Sequence, residues 1–176
     1  MIQTETETGA LAGKYLTFAL ADEHYGIEIL RVQEIVGLLP ITRVPRLPDF
    51  VAGVVNLRGK VIPVVDLRQA FGMPPVELND RTCIVIVRTT RSDGRTTVMG
   101  ALVDEVSEVA DLPSSAIEET PEFGVGVDTS FVKAIGRLED RVVLLLDVDL
   151  VLSGQQLEIV ERAAAAAERA RTEGGS

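Results

Sequence analysis

FVAGVVNLRGKVIPVVDL, residues 50–67, is the stretch that decides the fold of this 176-residue chain. It holds two apolar runs, 51–57 and 61–65, joined at Arg58-Gly59. Short runs rich in Val and Ile, split by a glycine that tolerates φ > 0, predict a tight antiparallel hairpin. Val61, Ile62, Val64 and Val65 do not alternate with polar residues, which predicts a second strand covered on both faces. Pro63 has no N–H to give a ladder and is expected at an edge or a bulge.

The stretch occurs twice. Adding 81 to each position aligns it without gaps to FVKAIGRLEDRVVLLLDV, residues 131–148, pairing Phe50 with Phe131, Leu57 with Leu138 and Asp66 with Asp147. Earlier, GIEILRVQEIV from Gly26 aligns with GALVDEVSEVA from Gly100 at an offset of 74, pairing Val32 with Val106 and Glu34 with Glu108. The offsets differ by seven, so the second copy carries a seven-residue insertion. Two blocks in the same order, with matching turns and apolar patterns, predict two similar β-rich subdomains in tandem.

Composition narrows the function. Hydrophobic residues make up 46% of the chain and aromatics only 4%, so a core is available but must be built from Val, Ile, Leu and Ala. A formal net charge of −10 and a pI near 4.6 argue against capture of nucleic-acid phosphates or anionic lipid, which needs clustered Lys and Arg. No run has the apolar length to cross a bilayer, and the opening MIQTETETGALAGK lacks the features of a secretory leader. A cytoplasmic protein is expected. Cys83, the only cysteine, lies in the apolar run TCIVIV and reads as a small buried hydrophobe.

Taken in order, residues 1–13 read as a loose tail and 15–20 as the first strand. Asp22-Glu23-His24 is the expected turn before a return strand from Tyr25, followed by a helical turn at 28–30 and a strand at 32–36. Three prolines within 40–48 predict an extended connection held by side-chain packing. Asp66 stands at the N-cap of a short helical turn, 67–71, stopped by Gly72. Residues 74–80 are the expected linker. The second copy should open with strands at 82–88 and 98–103, turning at Ser92-Asp93-Gly94, and continue with a strand at 104–109. Residues 111–127 are expected as the inserted loop, 155–171 as a helix with Leu157, Val160 and Ala164 on one face, and 172–176 as a frayed end. The folded domain is then expected to span 14–154, with subdomains at about 14–73 and 81–154 and an exchange of chain ends between them left open.

Little in the chain points to catalysis. His24 lies alone in a charged turn, no Cys/His spacing forms a zinc site, and no phosphate-binding glycine motif occurs. Asp66 and Asp147, at equivalent places in the repeat, could form a carboxylate dyad of the kind that lets acid and base coexist. Both follow apolar strands, VIPVV and VVLLL, so strand-end capping is the better reading. Glu34 and Arg58 could pair across neighbouring strands, and a role beyond stability would come from orienting Arg58 toward a partner.

ILRVQEIV, ITRVP, GVVNLRGKVIPVVDLR and GALVDEVSEV together resemble the CheW family, the coupling proteins of bacterial chemosensory arrays, over roughly residues 15–156. The same fold occurs as the regulatory domain of the kinase CheA and as the front half of CheV. The resemblance implies a mainly β fold, two SH3-like five-stranded β-barrel subdomains in tandem with short helical turns, beside the C-terminal α-helix. It implies a non-catalytic scaffold that couples chemoreceptors to the histidine kinase CheA, with no cofactor and no metal. The protein would be cytoplasmic, recruited to membrane-associated receptor arrays, a monomer alone and a ring or array when assembled. Carried over by position, a receptor-binding groove would include Val32, Glu34, Gly53, Asn56, Arg58, Val85, Gly100 and Val106. The contact with CheA would use Arg43, Val44, Leu47, Lys60 and Val61.

Three other readings remain open from the sequence: an adaptor of a non-flagellar chemosensory pathway, a hydrolase using Asp66 and Asp147, and a sensor holding an apolar ligand between the barrels.

Overall fold

The computed structural model describes residues 11–90, 93–120 and 131–151. The expected C-terminal helix at 155–171, both outer tails, Ser92 of the expected turn and most of the later half of the insertion lie outside these residues. The described chain is mainly β, in two sheets. Strands β1 (Gly13–Leu20), β2 (Glu23–Glu28), β8 (Glu105–Leu112), β9 (Ile117–Glu118), β10 (Val132–Leu138) and β11 (Arg141–Leu146) form one sheet in the order β8-β1-β2-β11-β10-β9. The other contains β3 (Val32–Gly37), β4 (Val51–Leu57), β5 (Lys60–Asp66), β6 (Cys83–Thr90) and β7 (Thr96–Val103) in the order β3-β6-β7-β5-β4.

The duplication inferred from 50–67 holds in detail. Hairpin β4-β5 pairs Val51 with Val65 and bulges before Gly53; hairpin β10-β11 pairs Val132 with Leu146 and bulges before Ala134, each position 81 residues on. The N–H of Asp66 donates to the Phe50 carbonyl at 2.7 Å, and that of Asp147 to Phe131 at 2.9 Å. A one-turn helix follows each hairpin, α1 (Leu67–Ala70) and α2 (Val148–Val151). Asp66 Oδ1 accepts the N–H of Arg68 at 3.0 Å, and Asp147 Oδ1 accepts those of Asp149 and Leu150 at 3.0 and 3.2 Å. Each carboxylate thus satisfies helix donors that would otherwise lack a partner.

The sheets interleave the two copies. β1 and β2 of the first copy sit with β8–β11 of the second, while β6 and β7 of the second sit with β3–β5 of the first. The copies meet at four strand pairs: β1 with β8 and β3 with β6 are antiparallel, while β5 with β7 and β11 with β2 are parallel, with Val64 opposite Gly100 and Leu145 opposite Gly26. These glycines leave room where the copies meet. A Cβ on Gly100 would lie 2.8 Å from Ile84 Cγ2 and 3.1 Å from Val64 Cγ2; one on Gly26 would meet nothing closer than 3.1 Å. Overpacking a filled core costs about 1–3 kcal/mol. Gly100→Ala is therefore expected to lower the urea midpoint more than Gly26→Ala, and equal midpoints would contradict the asymmetry.

A shared apolar core lies between the sheets, built from Leu16, Phe18, Tyr25 and Ile27 of the first copy's opening hairpin against Val85, Val87, Met99 and Val103 of the second's. Phe18, Tyr25, Phe71 and Phe131 stack in sequence with centroids 5.9, 5.5 and 4.7 Å apart, so four of the chain's few aromatics line one seam. Burial pushes the Tyr25 phenol, and the Tyr15 phenol to about 12, above the usual tyrosine range, with Glu23 and Glu28 adding to the effect.

Several expectations need correction. Pro63 is at neither an edge nor a bulge, since β5 runs between β4 and β7. It is tolerated because it stands opposite Val54, whose own N–H and C=O are taken by Thr42, and one residue before the parallel ladder with β7 begins at Val64. The 40–48 connection is held by backbone as well as side chains, through Thr42 N–H to Val54 O at 2.8 Å and the reciprocal bond at 2.9 Å. The first turn is Ala21-Asp22, with Glu23 already in β2. β1 begins at Gly13, and the preceding Leu11 carbonyl accepts the Tyr15 hydroxyl at 2.6 Å. β8 runs on to Leu112, and the insertion contains a 3-10 turn (Ser114–Ala116) and β9, which adds a sixth strand where five were expected. Cys83 is half-buried against the shared core.

Candidate functional site

The first hairpin carries the most distinctive surface group. Arg58 and Gly59, at φ +51° and +88°, form a two-residue turn that needs positive φ at both positions, which matches the twist of the flanking strands. Asn56 Oδ1 braces the turn by accepting the Gly59 N–H at 2.9 Å. An arginine is a poor choice for a left-handed position on backbone grounds, so its side chain is what the position keeps. That side chain reaches Glu34 on β3 through two hydrogen bonds, Nη1 to Oε2 at 2.9 Å and Nη2 to Oε1 at 2.7 Å.

β3 is an outer strand of its sheet, so the Glu34–Arg58 pair ties the tip of the β4-β5 hairpin to that edge. In the second copy Glu108, the equivalent of Glu34, pairs instead with Arg141 on β11, which stands where the first copy has Lys60, through Nη2 to Oε1 at 2.9 Å. Arg58 holds the Glu34 carboxyl below its usual range by hydrogen bonding, and Glu34 raises Arg58 in turn. The guanidinium stays 72% exposed while Glu34 is 24% exposed, leaving one face of a fixed, planar donor fork open to solvent.

Beside it, Gln33, Leu57, Arg58, Lys60, Val61, Ile62 and Val98 line a depression of about 480 Å³ with an apolar floor and two cations at its rim. On a chain of net charge −10, a cationic rim over apolar floor is a local reversal of sign. Gln33, Leu57, Ile62 and Val98 escaped the sequence reading; Gln33 is the residue next to Glu34 on β3, and Val98 arrives from β7, which no local signal connects to the hairpin.

The other candidates divide by position. Val32 and Val106 are half-buried at equivalent places, both against the shared core. Val85 is 0% exposed and Gly100 is buried, so each acts only through the strands it shapes. Gly53 is buried at φ +143° directly under Thr42. Arg43 is exposed on the 40–48 strap, with Val44 half-buried beside it and Leu47 packed on the shared core. Lys60 and Val61 lie instead at the hairpin depression with Arg58. The two candidate groups therefore overlap at the hairpin, and the strap forms a second locus.

Asp66 and Asp147 do not come together. They line separate depressions, Asp66 with Arg68 and Asp104, Asp147 with Glu28, Arg31 and Lys133, and each is committed to its cap. The dyad reading has no geometry to support it. Among the described residues no group of His, Cys, Asp and Glu could hold a metal ion, and no described helix is long and apolar enough to cross a membrane.

Sequence reading also missed two ion pairs at the joints between copies. Asp104 accepts Arg68 Nε at 2.8 Å, Arg68 Nη2 at 2.6 Å and the Ala21 N–H at 2.8 Å. Arg31 pairs with Asp149, which also accepts the Thr90 N–H at 2.7 Å. Burial alone would raise the Asp104 carboxyl, but the bonds from Arg68 and Ala21 outweigh it and hold the group below its usual range. A depressed carboxyl stabilises the fold above its unfolded pKa, and that contribution is lost as pH falls through the folded value. Asp104→Asn should then cost about 2 kcal/mol at pH 7, as expected for hydrogen bonds to a charged group. Its stability should fall less steeply than the parent's on acidification below pH 4, which urea titrations at stepped pH measure; parallel pH profiles would contradict the assignment.

Comparisons with known proteins bear on the same residues. A family described as the CheW-like domain matches residues 14–156. Chemotaxis protein CheW of Klebsiella aerogenes is 36% identical over 151 residues, covering 86% of this chain and 88% of that protein. Chemotaxis protein CheW of Bacillus subtilis is 35% identical over 149 residues, covering 84% and 90%. The crystal structure of the scaffolding protein TtCheW from Thermoanaerobacter tengcongensis superposes with a TM-score of 0.71 at 33% identity, covering 82% of this chain and 95% of that one.

Proposed function

Because this chain belongs to the CheW-like domain family, as a chemotaxis coupling scaffold of two SH3-like barrels, we propose that it links chemoreceptors to the histidine kinase CheA without catalysing a reaction itself. The observation that carries this reading is the fixed, solvent-facing Arg58 fork. It is set in a positive-φ turn, braced by Asn56, clamped by Glu34 and placed at the rim of an apolar depression. Such a surface can recognise a carboxylate-bearing helical tip while burying apolar side chains beside it.

In this reading the receptor contact is built from Arg58, Glu34, Asn56 and Val32, with Gly53, Val85, Gly100 and Val106 shaping the strands beneath. The kinase contact uses Arg43, Val44 and Leu47 on the strap and Lys60 and Val61 at the hairpin. The protein works in the cytoplasm, recruited to receptor arrays at the membrane. Weak single contacts gain by repetition in an array, so modest pairwise affinity suffices. Titration of the chain against a soluble receptor-tip hairpin, and separately against the regulatory domain of CheA, tests the reading. Saturable binding to both supports it, and failure to bind either one overturns it.

A further inference from the structure

Every described barrel strand set mixes the two copies, and the exchange crosses at two short corners. One is the 3-10 turn Ile29–Arg31 between β2 and β3; the other is Asp104 between β7 and β8. The two ion pairs sit at these corners. Arg68 on α1 reaches Asp104 at the second copy's corner, and Asp149 on α2 holds Arg31 at the first copy's corner. Positions 68 and 149 are equivalent by the 81-residue offset, and positions 31 and 104 occupy matching corners one residue apart in the 74-residue alignment. The pairs are therefore related by the duplication but opposite in polarity.

That polarity has a consequence. If each copy closed its own barrel, β2 would run beside β5 and β7 beside β11, because these are the strands that stand in the same places in the two sheets. Arg68 would then face Arg31, and Asp149 would face Asp104. The exchanged arrangement turns two like-charge meetings into two Arg–Asp pairs.

We infer that the opposite polarity of the Arg68–Asp104 and Arg31–Asp149 pairs selects the strand-exchanged connectivity over two self-contained barrels. Both pairs are partly shielded: the side chains of Arg68 and Asp104 are 14% and 26% exposed, and those of Arg31 and Asp149 are each 28% exposed. Discrimination of this kind needs repulsion in the rejected arrangement as well as attraction in the chosen one. Closing within a copy or across copies from identical elements is the choice that underlies domain swapping, here settled inside one chain.

The native cysteine supplies a reporter. Gly37 on β3 stands opposite Cys83 on β6, an exchanged contact, and a side chain at Gly37 would meet nothing within 4 Å. Directly opposed antiparallel residues lie within the reach of a disulfide. Full-length chain carrying Gly37→Cys is refolded from urea under oxidation, and the fraction bearing the 37–83 bond is read by non-reducing peptide mass mapping.

Reversing one ion pair, Arg68→Asp with Asp104→Arg, leaves both native pairs satisfied but also makes both self-contained meetings attractive. The linked fraction during refolding should fall by about half. Reversing the second as well, Arg31→Asp with Asp149→Arg, restores repulsion in the self-contained arrangement and should return the fraction to the parent level. Unchanged linkage in the single reversal overturns the inference, as does a loss that the second reversal fails to repair. A purely structural role predicts no difference between the two variants, since each keeps two intact ion pairs.

Discussion

Gly53→Ala is expected to lower the unfolding midpoint by roughly 6–12 °C, the shift that corresponds to about 3 kcal/mol in a chain of this length. Gly53 lies at φ +143°, in a region that side-chain-bearing residues rarely enter, and its bulge aims the missing Cβ at the backbone of the strap. An added Cβ would sit 2.2 Å from Thr42 O and 2.8 Å from Thr42 C. Those are main-chain atoms held in a two-bond bridge to Val54, so no rotamer change can relieve the clash. Either the strap detaches from β4 or the hairpin bulge opens. Thermal denaturation with hydrogen exchange at Thr42 and Val54 separates the two: loss of protection confined to these amides marks strap release. A midpoint within 2 °C of the parent would show that the strap is not seated as described. Because the strap carries Arg43 and Val44, partner binding by this variant should weaken through the fold, and so a binding defect at Gly53 would not by itself mark a contact.

Arg58→Ala is expected to do the reverse. The guanidinium is mostly solvent-exposed, its pair with Glu34 is at the surface, and exposed pairs contribute little to stability. The thermal midpoint should stay where it is. Affinity for the receptor tip should fall about tenfold or more, the scale of a fixed arginine anchor at an interface centre. Glu34→Ala should produce a smaller loss, since the fork remains but is no longer held. The double variant should be no worse than Arg58→Ala alone, because Glu34 acts through Arg58. Isothermal titration against the receptor-tip hairpin reads all three. Undiminished binding by Arg58→Ala would remove the fork from the contact, and additive losses would make Glu34 an independent one.

The contrast between these variants shows what the sequence can and cannot reveal. Residues 50–67 and 131–148 disclosed the duplication because a hairpin is a local object: strand length, turn position and cap all lie within eighteen residues, and every one of them recurs at the 81-residue offset. Glu34 and Arg58 were legible as a pair because their types and flanking apolar runs placed both at strand surfaces. The partition of strands between the sheets was not legible. β5 and β7 meet in a parallel junction whose apolar runs would fit equally well against β2, and no periodicity distinguishes the two. Pro63 misled for the same reason, since its tolerance depends on Thr42 occupying the backbone of Val54 from outside the hairpin. The Arg68–Asp104 pair spans 36 positions and joins elements from different copies, so only the fold brings it together.

The two-barrel arrangement also explains why the candidate contacts gather at the first hairpin. Its tip is tied by the Glu34–Arg58 bridge to β3, an outer strand of the sheet, while the strap covers β4 through Thr42 and Val54. Such a tip offers rigid backbone and fixed donors beside an open depression, which suits recognition of another protein.

The most direct test of the coupling role is a sedimentation assay with receptor-containing membranes and a CheA-type kinase at fixed concentrations, with this chain added in steps. The account predicts that kinase appears in the pellet in proportion to added chain and then saturates, and that Arg58→Ala gives little recruitment at the same concentrations. Kinase sedimenting equally without the chain, or remaining in the supernatant at saturating chain, would contradict it.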